Sequence, residues 1–219
     1  MQGIYEFVRG PLLWLTFIVF IGGSLYKLVP MYYLLKKKEA FVLSYMSLKY
    51  SLRSILHWII PFASTNMRQR PIMTVMSFVF HICLLVTPVL LLSHIVLWDE
   101  SWNLSWWALP DWIADIMTLV VIGACVFFAF RRQILPEVKY VTSAADYVIL
   151  AVTAAPFITG FLAYHQWIEY RTMLILHILS GEIMLMAIPF TRLVHMFYFW
   201  FTRAYTGSEF GGVRHARDW

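Results

Sequence analysis

The chain has 219 residues, 61% of them hydrophobic and 13% charged, with a mean hydropathy of +0.70 and a net charge of +5. That balance cannot cover a water-soluble domain with polar surface, and nothing in it calls for a nucleic-acid partner. A bilayer core of about 30 Å takes about 20 apolar residues per helical span, because every backbone N–H and C=O must pair within the segment. The expected fold is therefore all-α, an integral membrane bundle of five helices in a single domain.

The spans are expected at about residues 11–30, 71–98, 112–130, 147–164 and 172–200. The first apolar run, Leu12 to Tyr26, is flanked by Arg9 and Lys27, lacks a small-residue cleavage site and reads as a retained helix. Its Gly22 and Gly23 suit close helix packing. Residues 32–70 mix Lys36, Lys37, Lys38, Lys49 and Arg53 with Leu52, Ile55, Leu56, Ile59 and Ile60, the pattern of an amphipathic helix on a membrane surface. The loop from Trp98 to Trp112 is acidic (Asp99, Glu100, Asp111) and aromatic (Trp102, Trp106, Trp107), as suits an interfacial belt. Residues 201–219 form a charged tail; its Gly-rich end, from Gly207, is expected to order only against a partner. Cys83 and Cys125 lie in apolar runs and read as small hydrophobes; neither belongs to a C-x-x-C-H motif.

Basic residues orient the chain, since Lys and Arg are retained on the cytoplasmic side. Fifteen of the 17 fall in the 32–70 region and its approach, the third loop and the C-terminal region; only Arg9 and Arg171 fall opposite. The N-terminus is expected outside and the C-terminus in the cytoplasm.

Four histidines lie inside these spans, His81 and His94 on the second and His177 and His195 on the fifth. Intramembrane polar side chains are costly and usually face the bundle interior for a reason. Depth pairs His94 with His177 near the outer face and His81 with His195 near the inner one. Two neutral imidazoles from neighbouring helices supply both axial nitrogens of a haem iron, a closed coordination that favours electron transfer. The 18-residue step from His177 to His195 is five whole turns, which puts both on one helix face. The 13-residue step from His81 to His94 rotates the two apart by about 140° on an ideal helix. Pro88 lies between them and is expected to kink it.

The stretch I-L-H-I-L-S-G-E-I-M-L-M-A-I-P-F-T-R-L-V-H-M-F-Y, Ile175 to Tyr198, resembles the last helix of the cytochrome b (gamma) subunit of respiratory nitrate reductase. R-R-Q-I-L-P-E-V-K-Y-V-T-S-A-A-D-Y-V-I-L, Arg131 to Leu150, resembles that family's connection between its third and fourth helices, and Phe80-His81 its first ligand. The resemblance covers about residues 71–203. It implies a membrane anchor with two b haems, the outer held by His94 and His177 and the inner by His81 and His195. The family's second-helix ligands are closer in sequence than His81 and His94. Members that oxidise menaquinol or ubiquinol carry a lysine in the third span, and this chain has no Lys or Arg between His94 and Arg131. Similar subunits of sulfate-reducing bacteria sit in transmembrane redox complexes beside periplasmic multihaem cytochromes c and a cytoplasmic iron-sulfur protein related to heterodisulfide reductase.

The expectation is thus an electron-transfer subunit, not a complete enzyme, relaying between a periplasmic cytochrome c or the quinone pool and that iron-sulfur subunit. One alternative is a quinol dehydrogenase subunit, which would bring menaquinone as a further cofactor; another is a haem-free proton or ion transporter or anchor. Arg192, one turn before His195, and Arg131 and Arg132 are candidates for propionate contacts of the inner haem, and plain cytoplasmic retention also explains them. Glu182, within the fifth span, is a candidate for proton uptake coupled to haem reduction. His57, His165 and His215 have no depth-matched partner and read as surface or interfacial residues.

Overall fold

The computed structural model describes every residue except Met1 and Glu39, and among the described residues it contains helices and no strands. In chain order the α-helices are α1 (Gln2–Phe7), α2 (Leu13–Lys38), α3 (Ala40–Ser44), α4 (Leu48–Ile59), α5 (Thr65–Gln69) and α6 (Pro71–Leu90). There follow α7 (Leu92–Trp102), α8 (Asp111–Ile134), α9 (Pro136–Lys139), α10 (Ala144–His165), α11 (Tyr170–Ala187) and α12 (His195–Ser208). Five of these stretches are long and apolar enough to cross a bilayer: residues 2–38 with α2, then α6, α8, α10 and α11. The burial pattern agrees. Ile18, Leu25, Ile72, Leu85 and Ile134 are more than half exposed, while Thr16, Thr87 and Thr153 are buried. Large aliphatics outside and hydroxyls inside reverse the pattern of a soluble domain and suit lipid as the solvent. The chain is a multi-pass membrane protein.

Two compact units divide the contacts: the residues up to Leu13 with Met76–Met184, and Trp14–Val75 with Leu185–Trp219. In the first, α8 packs on α10. Val121, Ala124, Cys125 and Phe128 of α8 are buried at helical spacing, with Ala154 and Phe157 of α10. A capping box starts α10, the Ser143 N–H donating to Asp146 Oδ2 at 2.8 Å.

The second span breaks where a kink was expected. Leu91 is extended (φ −76°, ψ 127°), three residues after Pro88, and α7 starts anew. A break in hydrocarbon strands carbonyls, and three of those here are answered. Pro88 O accepts from His94 Nδ1 at 2.8 Å, Val89 O from Trp106 Nε1 at 2.9 Å, and Leu90 O from Leu109 N–H at 2.8 Å. The aromatic loop after α7 is therefore also a helix cap.

In the second unit α4 packs on α12. The Ser51 and Ser208 hydroxyls meet at 3.0 Å, and Ser51 Oγ donates to Ala204 O at 3.1 Å. A Cβ on Gly207 would strike Tyr50 O and Ser54 Cβ, so glycine is what allows this approach. Leu48, Leu52 and Leu56 of α4, with Ile60 just past its end, are exposed, an apolar side that suits the expected amphipathic helix. Of the two glycines of the first span, Gly23 supports close packing, against Pro189 and Phe190; Gly22 has nothing within 4 Å.

Two expectations are corrected. The fifth span ends at Ala187, and extended Thr191 and a 3₁₀ turn, Arg192–Val194, precede α12. Pro189 has no N–H and its ring crowds the preceding turn, which weakens the helix here; with α11 ended at Ala187 and Thr191 extended, the five-turn register between His177 and His195 does not apply. The tail is ordered on its own chain. Ser54 Oγ donates to Asp218, Arg203 lies 3.9 Å from the same carboxylate, Arg53 donates to Ala216 O at 3.3 Å, and His57 stacks on Trp219.

Candidate functional site

His177 projects from α11 and His94 from the first turns of α7, both in the first unit. Their rings lie nearly parallel, 21° apart, with centroids 5.9 Å apart. That is wider than a face-to-face contact. An imidazole bonds a metal through one nitrogen at about 2 Å, so two rings end-on to one iron have centroids about 6 Å apart. The pair fits a metal held between two imidazoles.

The main chain sets which nitrogen would face a metal there. A carbonyl oxygen only accepts, so a ring nitrogen bonded to one must carry the hydrogen. His177 Nδ1 donates to Pro156 O at 2.8 Å and His94 Nδ1 to Pro88 O at 2.8 Å, which leaves each neutral ring's lone pair on Nε2. Pro156 O belongs to α10, and Gly160, one turn further on, opens the space the ring occupies. A Cβ there would lie 2.9 Å from His177 Cε1 and Nδ1. This seat was missed in the sequence, although Pro156 and Gly160, four apart on one helix face, are a readable signal.

His81 and His195 fall in different units. His81 Nδ1 donates to Ser77 O at 2.7 Å and His195 Nδ1 to Arg192 O at 2.8 Å, so both rings carry the same tautomer as the first pair. Both are exposed on their own helices, α6 and the start of α12. Arg131 and Arg132 end α8, where cations complement the helix dipole, and Arg132 donates to Phe128 O at 3.1 Å. Arg192 opens the 3₁₀ turn before His195. Among the described residues no group of three His, Cys, Asp or Glu side chains converges on one metal position.

Glu182, five residues after His177, is 2% exposed, and neither carboxylate oxygen has a hydrogen-bond partner. His165, expected to stand alone, has company: its Nε2 lies 3.2 Å from Asp115 Oδ2, an ion-pair approach between α10 and α8, and Phe161 and Trp167 pack against its ring. Beyond the spans, the Glu169 carboxylate accepts from the N–H groups of Arg171 and Thr172 at 3.1 and 2.6 Å, capping the start of α11. Bonds from Thr172, side chain first and then backbone, hold its carboxyl below the ordinary range.

No family profile matches the chain, and no solved structure matches it. A protein of Nitratidesulfovibrio vulgaris, strain Hildenborough, described only as a protein, is 37% identical over 213 residues, covering 94% of this chain and 93% of the relative. Identity of that extent over both full lengths shows common descent and a shared fold, and the chain belongs to the same family as this Nitratidesulfovibrio vulgaris protein.

Proposed function

We propose that the chain is a di-haem b membrane subunit relaying electrons across the inner membrane, between a periplasmic cytochrome c or the quinone pool and a cytoplasmic iron-sulfur subunit. In this reading its N-terminus is outside, and it resembles the cytochrome b subunits named above. The observation that carries it is the His94–His177 pair, near-parallel at 5.9 Å with both Nδ1–H groups committed to proline carbonyls, Pro88 O and Pro156 O. His94 and His177 would hold the outer haem, and His81 and His195 the inner. When bound, the haem supplies one-electron redox chemistry with no open coordination position.

The chain's own work is positional. Pro88 O and Pro156 O fix the tautomer and aim of the outer imidazoles, Gly160 makes the seat for one of them, and the Leu91 break re-aims the other. Apolar spans around the site keep water out, which rewards a ligand set of neutral nitrogens over charged ones. In this reading Arg131 and Arg132, in the last turn of α8, and Arg192, at the start of the 3₁₀ turn, would supply cations for the propionates.

The test is haem content per chain, by pyridine haemochrome with a dithionite-reduced minus oxidised spectrum. Two b haems are expected; a folded, haem-supplied chain with no Soret band would overturn the reading in favour of a transporter or anchor. A second reading, quinol oxidation, is favoured by the Asp115–His165 pair packed among aromatic rings, a proton acceptor at the outer end of α8 and α10. Haem reduction by a menaquinol analogue in the purified subunit would support it.

A further inference from the structure

Glu182 is the one carboxylic acid of α11 buried to 2%, and both of its oxygens lack a hydrogen-bond partner. A carboxylate left so in hydrocarbon would cost several kcal/mol unless it carries a proton or faces a compensating positive charge. Among the described residues no such charge is fixed beside it. The titratable groups of the helices in its unit are the histidines His81, His94 and His177, the thiols Cys83 and Cys125, and groups at helix ends such as Asp115 and His165. None hydrogen-bonds to Glu182 or pairs with it. Five residues of helix place it about 7.5 Å along the axis from His177 and about 140° around it, on another face of α11, so any coupling acts through the low-dielectric interior and not by contact.

A compensating charge that comes and goes is what the neighbouring site would provide. Ferric iron in a dianionic porphyrin between two neutral imidazoles carries one net positive charge, and ferrous iron carries none. We propose that Glu182 is the proton site coupled to reduction of the His94–His177 haem, a role that rests on the di-haem reading above. Its carboxylate is tolerated while the iron is ferric. When one electron arrives from a one-electron donor, iron(III) becomes iron(II), and Glu182 takes one proton from water to become the neutral acid, so the buried charge is unchanged. Reoxidation returns the electron to an acceptor and the proton to water.

The experiment is redox potentiometry of the full detergent-purified chain as a function of pH, reading the haem wave that disappears in His177→Ala. The expected result is a potential that falls with pH by up to a tenfold proton equivalence per pH unit, about 59 mV for one electron. In Glu182→Gln, which keeps shape but holds no charge, the wave should become independent of pH with both haems retained. A wild-type wave flat in pH, or a slope that survives in Glu182→Gln, overturns the inference and leaves the relay standing; a chain without haem overturns both. If Glu182→Gln does not fold, an infrared reduced-minus-oxidised difference spectrum of the wild type reads the same event. A carboxylic acid carbonyl band gained on reduction supports the coupling, and its absence overturns it.

Discussion

His57 and His177 both donate Nδ1–H to a main-chain carbonyl and both lie almost parallel to a second ring, yet His57 is 3.7 Å from Trp219 and His177 is 5.9 Å from His94. At 3.7 Å and 20° the first pair is a closed stack, with the Arg53 guanidinium over the same indole. At 5.9 Å the second pair has its shared direction without the contact. The tautomer alone therefore says nothing about ligation, since both histidines have it. What separates a structural histidine from a candidate ligand is the ring it faces and at what distance, and whether the surrounding chain was shaped to hold that distance. Around His177 it was, by Gly160 and Pro156.

The largest expected effect breaks the comparison outright. On the di-haem proposal, His177→Ala should remove one of two b haems and His195→Ala the other, while His57→Ala leaves haem content unchanged; equal content in all three would sink the ligand assignment. Next is Gly160→Ala, whose Cβ meets the His177 ring at 2.9 Å. Overpacking of this kind costs about 1–3 kcal/mol, about 5- to 150-fold in retention of the outer haem. Gly22→Ala, with nothing within 4 Å, is the matched control and should leave the haem unchanged while raising stability by about 0.5–1 kcal/mol.

Trp219→Ala sharpens the other side. Losing the stack on His57 and the cation–π contact with Arg53 should cost about 1–3 kcal/mol. The loss should appear as a melting temperature lower by a few degrees with the haem spectrum intact. The smallest effect concerns the cap that starts α11. Glu169 has its carboxyl depressed by bonds from Thr172, so its stabilising contribution is present above the ordinary value of about 4.3 and is lost as pH falls through the depressed one. Amide exchange at Arg171 and Thr172 should quicken in that acid window, and Glu169→Gln should remove the pH dependence.

Much of the fold was legible because its signals are local. Span length and hydropathy follow from the need to pair every backbone group inside hydrocarbon, and the chain has five helices long and apolar enough to cross a bilayer, as expected. Pro88 announced a departure from regular helix in the second span. Pro189 carried the same information in the fifth and was outweighed by a regular histidine spacing, which assumed an unbroken helix. The tail was misread for a related reason: its partners, Ser54, Arg203 and Arg53, lie far away in sequence, and composition does not report them.

The sequence by itself determined that this is an all-α membrane protein and which histidines lie in apolar surroundings, because burial cost and backbone pairing are paid segment by segment. The tertiary structure alone decided which rings face each other, where Glu182 is left without a partner, and which glycine makes room for His177. Those properties depend on distances between helices, and helices approach one another through side-chain shapes and breaks that no single segment specifies.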